Sequence, residues 1–392
     1  MSVNGSLFEK FQVGLRLMNT LPLQYQLDHP VKIDGRNRYI VFHDPTNNPC
    51  RTLSMYEAYM SSRIEPNSVR GELQNLCFLY SWAAEFGLDL KSSLLAGELL
   101  TSNDIQAFAG HLRRRTTSRG TPPKPSTYNG ILGSASRVCR YFFNNYSSAE
   151  PDVRMFLSQQ HHEEWQKQYL TVPNDNEGKD LSPEIVQEIA EYFRDKIRSG
   201  RYHLSSLRNY VMWLWMEALG LRGGELLSLR LGDVPMSYET FWLRVPENNV
   251  GDPRRNPPSP KTGSRDLRLH QNHEAISDFT RAYLQLRGNC DHDYVFVSAH
   301  GQPLSVSSFH GIARQVKCDV LDAFHWHRVR HTHAVRLLML IAEKSQSYAE
   351  FNHKFNALLE RMGWSSAESA KPYLERGLLL LNARSLDRLL AA

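Results

Sequence analysis

The stretch "FHWHRVRHTHAV", residues 324–335, packs four histidines and two arginines into twelve positions. Two chemistries compete for it. His325, His327, His331 and His333 offer nitrogens to a metal, whereas Arg328 and Arg330 offer guanidinium forks to a phosphate. His327 and His331 lie four apart, on one face of a helix, as in zinc sites of the HExxH type. That pattern needs Glu after the first His, and here the position holds Arg328. Two cations beside the imidazoles raise the cost of a divalent ion, and neither Cys318 nor Asp322 stands at a recognised ligand spacing. The stretch therefore reads as an anion site, with no metal and no cofactor expected.

Working outward, the chain has 392 residues, room for two domains. Its 41% hydrophobic and 22% charged content is that of a globular protein. Net charge is only +5, but the charge is unevenly placed. Between Ile105 and Ala149 stand Arg113, Arg114, Arg115, Arg119, Lys124, Arg137 and Arg140, with no Asp or Glu. Such a run is a candidate DNA-binding footprint, with a solvated face as the plain alternative. The five cysteines form no CxxC pair, which argues against a disulfide framework and points to a reducing cytoplasm. No 18-residue apolar run predicts a membrane span, and no signal peptide is expected at the N-terminus.

Residues 1–50 read as an N-terminal extension, with a small hairpin in "VKIDGRNRYIVF" around Asp34-Gly35. Residues 51–150 carry helical periodicity. Leu73, Leu76, Cys77 and Tyr80 make one stripe, and Ile131, Ala135, Val138 and Phe142 make another, capped by Ser126 or Thr127. Arg137 and Arg140 lie off the second stripe and share a face. Residues 151–180 end in "VPNDNEGKD" and read as a linker. A fresh helix starts at Ser182-Pro183, opening a second domain over 181–392. That domain is mainly α, with a β-hairpin made of 240–245 and 264–269 flanking a Pro-rich connection.

Four stretches in this domain stand in order: "ALGLRGGELLSLRLGDV", "SPKTGSRDLRL", "HWHRVRHTHAV" and "MGWSSAESAKPYLER". Together they resemble the tyrosine recombinase (phage integrase) family over roughly residues 181–376. The resemblance implies catalytic roles for Arg222, Lys261, His327, Arg330, Trp364 and Tyr373, with Glu225 and His331 supporting them. Trp364 stands where most members have His and some have Trp. The implied fold is a two-domain DNA clamp of a helical core-binding domain and an integrase-like catalytic domain. The implied reaction is cleavage and rejoining of double-stranded DNA through a 3′-phosphotyrosyl link, with Tyr373 as nucleophile and no ATP. A type IB-like topoisomerase shares this chemistry, and a non-catalytic DNA-binding protein could share the fold.

The Leu-rich residues 377–392 have either their own domain or a neighbouring protomer to bury them. The resemblance favours a homo-tetramer on two DNA sites through this tail, with accessory proteins as further partners. The 334–363 segment and the connection before Lys261 are longer than the family usually has. The segment suits an extra helix or a protein contact.

Overall fold

The protein's structure, a computed structural model, describes residues 23–28, 30–33, 36–43, 45–116, 120–172, 179–199, 203–234, 240–249, 251–269, 273–316 and 324–390. Arg119, the Asp34-Gly35 turn, Cys318, Asp322 and most of "VPNDNEGKD" lie outside these residues. The chain divides into two compact units, 1–173 and 174–392.

The first unit is a helical bundle edged by small sheets. Helices run over Arg51–Ser61, Pro66–Glu85, Leu90–Leu95, Ser102–Arg114, Pro125–Tyr146 and Pro151–Gln166. The two sequence stripes meet in its core, where Leu73, Leu76 and Tyr80 pack with Ile131, Ala135, Phe142 and Phe108. The second long helix starts one residue ahead of the expected caps, with Pro125 in its first turn and no side-chain cap. Proline's fixed φ suits that position because its missing N–H would have no helical partner there.

Two expectations are corrected. The residues read as an N-terminal extension are in part built into the first unit's core. Strands Tyr25–Leu27, Val41–His43 and Asn48–Pro49 form an antiparallel sheet, with Tyr25 opposite His43. Tyr25, Tyr39 and Val41 enter the bundle core, and burying each such side chain is worth about 2 kcal/mol. The expected hairpin is present beside it, Val31–Ile33 pairing with Arg36–Arg38. Nor is 151–180 simply a linker, because Pro151–Gln166 is a helix on the bundle. Trp165 is fully buried, and its indole donates to His161 Nε2 at 3.3 Å. The polar average hid two buried residues four apart.

The second unit is also mainly helical, with helices Pro183–Ser199, Leu204–Leu219, Gly223–Ser228, Glu274–Arg287, Val306–Gln315, Trp326–Lys344, Tyr348–Met362 and Lys371–Leu390. Its hairpin pairs Phe241–Val245 with Arg265–Leu269, Val245 lying opposite Arg265. One core gathers Trp213, Trp215, Leu243, Leu267, Phe296 and Trp326. A smaller one holds Ala334, Leu338, Phe355, Met362, Trp364 and Tyr373. The long 334–363 segment is thus helical, finishing one helix and adding another. Beyond Tyr373 the helix continues. Leu374, Leu380 and Leu381 rest partly on the small core, while Leu378 and Leu379 are exposed. Among the described residues no helix is long and apolar enough to cross a membrane.

Candidate active site

The opening stretch becomes the start of the Trp326–Lys344 helix. Trp326 fixes its rotation. The indole stacks on Phe309 and Phe193 and donates to the Phe309 carbonyl at 2.7 Å. With that ring turned inward, Arg330 is buried one turn later, 1% exposed. Its two terminal nitrogens donate to the carbonyls of Gly220 and Met362, each at 2.6 Å. Gly220 ends the Leu204–Leu219 helix at φ +65°, and a Cβ there would strike the His333 ring. Glycine permits both the left-handed turn and the close approach.

Arg222 caps the short Gly223–Ser228 helix through its backbone. Its N–H donates to Glu225 Oε2 at 2.8 Å, and its Nη1 to Oε1 at 3.0 Å. The same Nη1 reaches the Met362 carbonyl at 3.3 Å. Two guanidiniums thus converge on one carbonyl oxygen. A third, Arg265, donates to Glu225 Oε2 at 2.9 Å, while Arg330 stands 3.8 Å from that oxygen. Burial alone would raise the Glu225 carboxyl. The Arg265 hydrogen bond, the charges of Arg265 and Arg330, and the Arg222 N–H outweigh it and hold the group below its usual range. Burial, then the Arg222 charge, pushes the Arg330 pKa down to about 10, so it stays a cation at neutral pH. One buried carboxylate therefore faces three arginines.

Tyr373 and Trp364 join this cluster from the chain's last described quarter. Their rings lie 4.9 Å apart, and His331 packs on the other contact of Tyr373 at 4.5 Å. A cleft of about 780 Å³ is lined by Arg222, Lys261, Arg265, Gly363, Trp364 and Tyr373 among others. Lys261 reaches it from the hairpin connection and is exposed, with φ +63°. Arg254, nearby in sequence, is elsewhere. It is buried on Asp252 and on the carbonyls of Leu304 and Leu227.

The four histidines separate by environment. His325 precedes the helix and is exposed. His327 is held below the usual imidazole range by desolvation, then by Arg330, Arg222, Lys179 and Lys261. Burial foremost pushes His331 down to about 4, and its Nδ1 has no hydrogen-bond partner among the described residues. His333 is likewise pushed down to about 4, and its Nδ1 contacts the Glu217 carbonyl at 2.8 Å.

The basic run of the first unit is placed less uniformly. Arg114 and Lys124 are exposed. Arg113 donates to the Tyr128 hydroxyl at 3.1 Å, and Arg115 lies over the Phe78 ring. Arg137 is committed to Glu72 by a 2.5 Å ion pair, and Arg140 donates to Ser158 at 3.2 Å.

Sequence reasoning passed over Arg265 and Thr262, although both stand in a quoted stretch. The available signal was strand alternation. Arg265 shares its face with Leu267 and Leu269, so an arginine occupies an inward position.

The profile of the Phage integrase family matches residues 180–376. Transposase A from transposon Tn554 of Staphylococcus aureus is 26% identical over 179 residues, covering 43% of this chain and 48% of that protein. The chain thus spans about half the length of the curated relatives it matches. Among solved structures, the Tn1549 transposon integrase in complex with transposon right end DNA aligns with a TM-score of 0.53. Identity there is 16%, over 87% of this chain and 99% of that one. The XerH site-specific recombinase bound to its difH substrate aligns with a TM-score of 0.50, at 12% identity over 78% of this chain and 76% of that one. These two share the fold.

Proposed function

Because the chain belongs to the phage integrase family, we propose that it is a site-specific tyrosine recombinase that cuts and rejoins DNA through Tyr373. The observation carrying this reading is the meeting of Arg222 and Arg330 at the Met362 carbonyl, in the neighbourhood of Tyr373, where Glu225 is the buried carboxylate facing them and Glu360 lies exposed at the cleft. A phosphodiester supplies the missing negative charge.

The Tyr373 oxygen attacks phosphorus, its bond to the 3′-phosphate forms, and the bond to the 5′-oxygen breaks. Charge gathers on the non-bridging oxygens, where Arg222 and Arg330 clamp it and the Trp364 indole N–H donates. Lys261 gives a proton to the departing 5′-oxygen. The phenolic proton passes to a neutral imidazole. His327 faces the cations of the cleft, and burial with those charges holds it below the usual imidazole range, while His331 is pushed down to about 4. Attack by a partner strand's 5′-hydroxyl reverses each step, so bond energy is conserved and no ATP is consumed. Arg113, Arg114, Arg115, Arg119, Lys124, Arg137 and Arg140 belong to a unit that holds the duplex by its phosphates, with strongly salt-dependent affinity. Residues 377–392 link protomers into a tetramer on two sites.

Nicked suicide duplexes from a randomised library test the chemistry. Wild type forms a covalent adduct and Tyr373→Phe forms none. An undiminished adduct in the Phe variant overturns the assignment. Relaxation of plasmid with no site dependence would instead place the chain with type IB-like topoisomerases. Removal of 377–392 abolishes paired-site complexes on native gels and preserves single-site binding. Tetramers that survive the truncation refute the tail's role.

A further inference from the structure

We propose that Thr262 and Arg265 are positioning residues that hold the Lys261 ammonium at the scissile phosphate. The proposal rests on the reading of Lys261 as proton donor and deepens it. A two-stranded hairpin is marginally stable by itself, whereas a proton donor must sit within hydrogen-bond reach of the atom it serves. Something must fix the turn.

The turn is fixed at Glu225. Thr262 Oγ1 donates to Glu225 Oε1 at 2.8 Å. Arg265 Nη1 donates to Thr262 Oγ1 at 2.9 Å, and its Nη2 donates to Glu225 Oε2. Its remaining Nε donates to the Arg361 carbonyl at 2.8 Å, tying the hairpin to the helix that precedes Trp364. The Arg265 side chain is 11% exposed, so these bonds are largely shielded from water. Glu225 also holds Arg222 through both its side chain and its backbone. Thr262 and Glu225 thus link the residue after Lys261 to the phosphate clamp.

Two further features press the turn into place. A Cβ at Gly224 would run into the Ser259 carbonyl, so the chain approaching Lys261 lies directly on the Gly223–Ser228 helix. Lys261 itself holds φ +63°, which a non-glycine residue adopts at a cost of about 1 kcal/mol or more, so its surroundings must impose it. The bonds of Thr262, the next residue, do so.

The leaving group separates positioning of the acid from general damage. Replacing the bridging 5′-oxygen of a suicide duplex by sulfur gives a thiolate that departs without a proton. Thr262→Val and Arg265→Gln should cut the ordinary duplex about 10²-fold more slowly and recover to within a few-fold of wild type on the sulfur duplex. Thr262→Ser keeps the hydroxyl and should restore the ordinary rate toward wild type. Arg222→Gln should stay slow on both. Equal loss on both duplexes in Thr262→Val, or no loss on either, overturns the proposal. Lys261→Ala is the control for its premise. If that variant is not rescued by sulfur, Lys261 is not the proton donor. If it is rescued and Thr262→Val is not, the positioning role alone fails. Should Arg265→Gln fail to fold, the Thr262 pair carries the test.

Discussion

Each unit buries a carboxylate among donors, and the two carboxylates keep different company. In the first, Glu72 takes one arginine, Arg137, with the hydroxyls of Ser134 and Tyr56 completing its shell. Glu57 does the same with Arg38. In the second, Glu225 takes Arg222 and Arg265 and stands near Arg330. The same unit also holds a one-to-one pair, Asp252 with Arg254, away from the cleft. A matched pair is a closed structural element. An unmatched cluster stores positive charge at a desolvation cost that only a bound anion relieves. The surplus, rather than the number of arginines, separates a site from a scaffold.

The largest expected effect breaks this comparison if it fails. Arg330→Gln or Arg222→Gln should slow single-turnover cleavage on the order of 10³-fold. Arg38→Gln, which unpairs the buried Glu57, should leave cleavage within a few-fold of wild type and cost about 2 kcal/mol of stability in denaturant titration. If both kinds of variant behave alike, the distinction between matched and unmatched arginines collapses.

Next comes Glu225→Gln, which leaves three guanidiniums uncompensated. A loss of about 3 kcal/mol is expected, larger than for Glu72→Gln and partly restored by sulfate. Equal losses in the two variants, measured side by side by thermal melting, would contradict the surplus.

Acid should then act more strongly on the second unit. His331 and His333 there, and His161 in the first, are all pushed down to about 4. A folded-state imidazole pKa below the unfolded value of about 6.5 stabilises fully above 6.5 and loses that contribution as pH falls toward 4. Between pH 7 and 5 the loss is on the order of 2 kcal/mol per histidine. Hydrogen exchange resolved by unit should show the second opening first. Earlier opening of the first unit would mean that His331 and His333 are not held neutral.

The smallest effect is the most pointed. Sulfate at ten times its Kd should stabilise wild type by about 1.4 kcal/mol through the unmatched cluster. The gain should vanish in Arg222→Gln. A gain that persists there locates the anion elsewhere.

What was legible in the sequence follows from locality. Helical stripes such as Leu73–Leu76–Tyr80, the Ser182-Pro183 start and the 240–269 hairpin depend on neighbours in the chain, so spacing revealed them. Arg222, Lys261, Trp364 and Tyr373 were found through motif order, and the structure brings them around one cleft. The carbonyls of Gly220 and Met362 that aim Arg330 were not legible, since backbone acceptors leave no mark in residue identity. The Arg137–Glu72 pair spans 65 positions, so a basic stripe looked unpaired when one of its members was not. His161 and Trp165 were lost in a polar average although their spacing of four is helical.

The central claim, that Arg222 and Arg330 hold a phosphate for Tyr373, is tested most directly by mapping the covalent adduct. Wild-type protein trapped on suicide DNA is digested with protease and nuclease, and the peptides are sequenced by mass spectrometry. The expected result is a nucleotide joined through its 3′-phosphate to Tyr373, with no such peptide from Arg330→Gln after the same incubation. A nucleotide on any other residue, or a 5′-phosphate linkage, would contradict it.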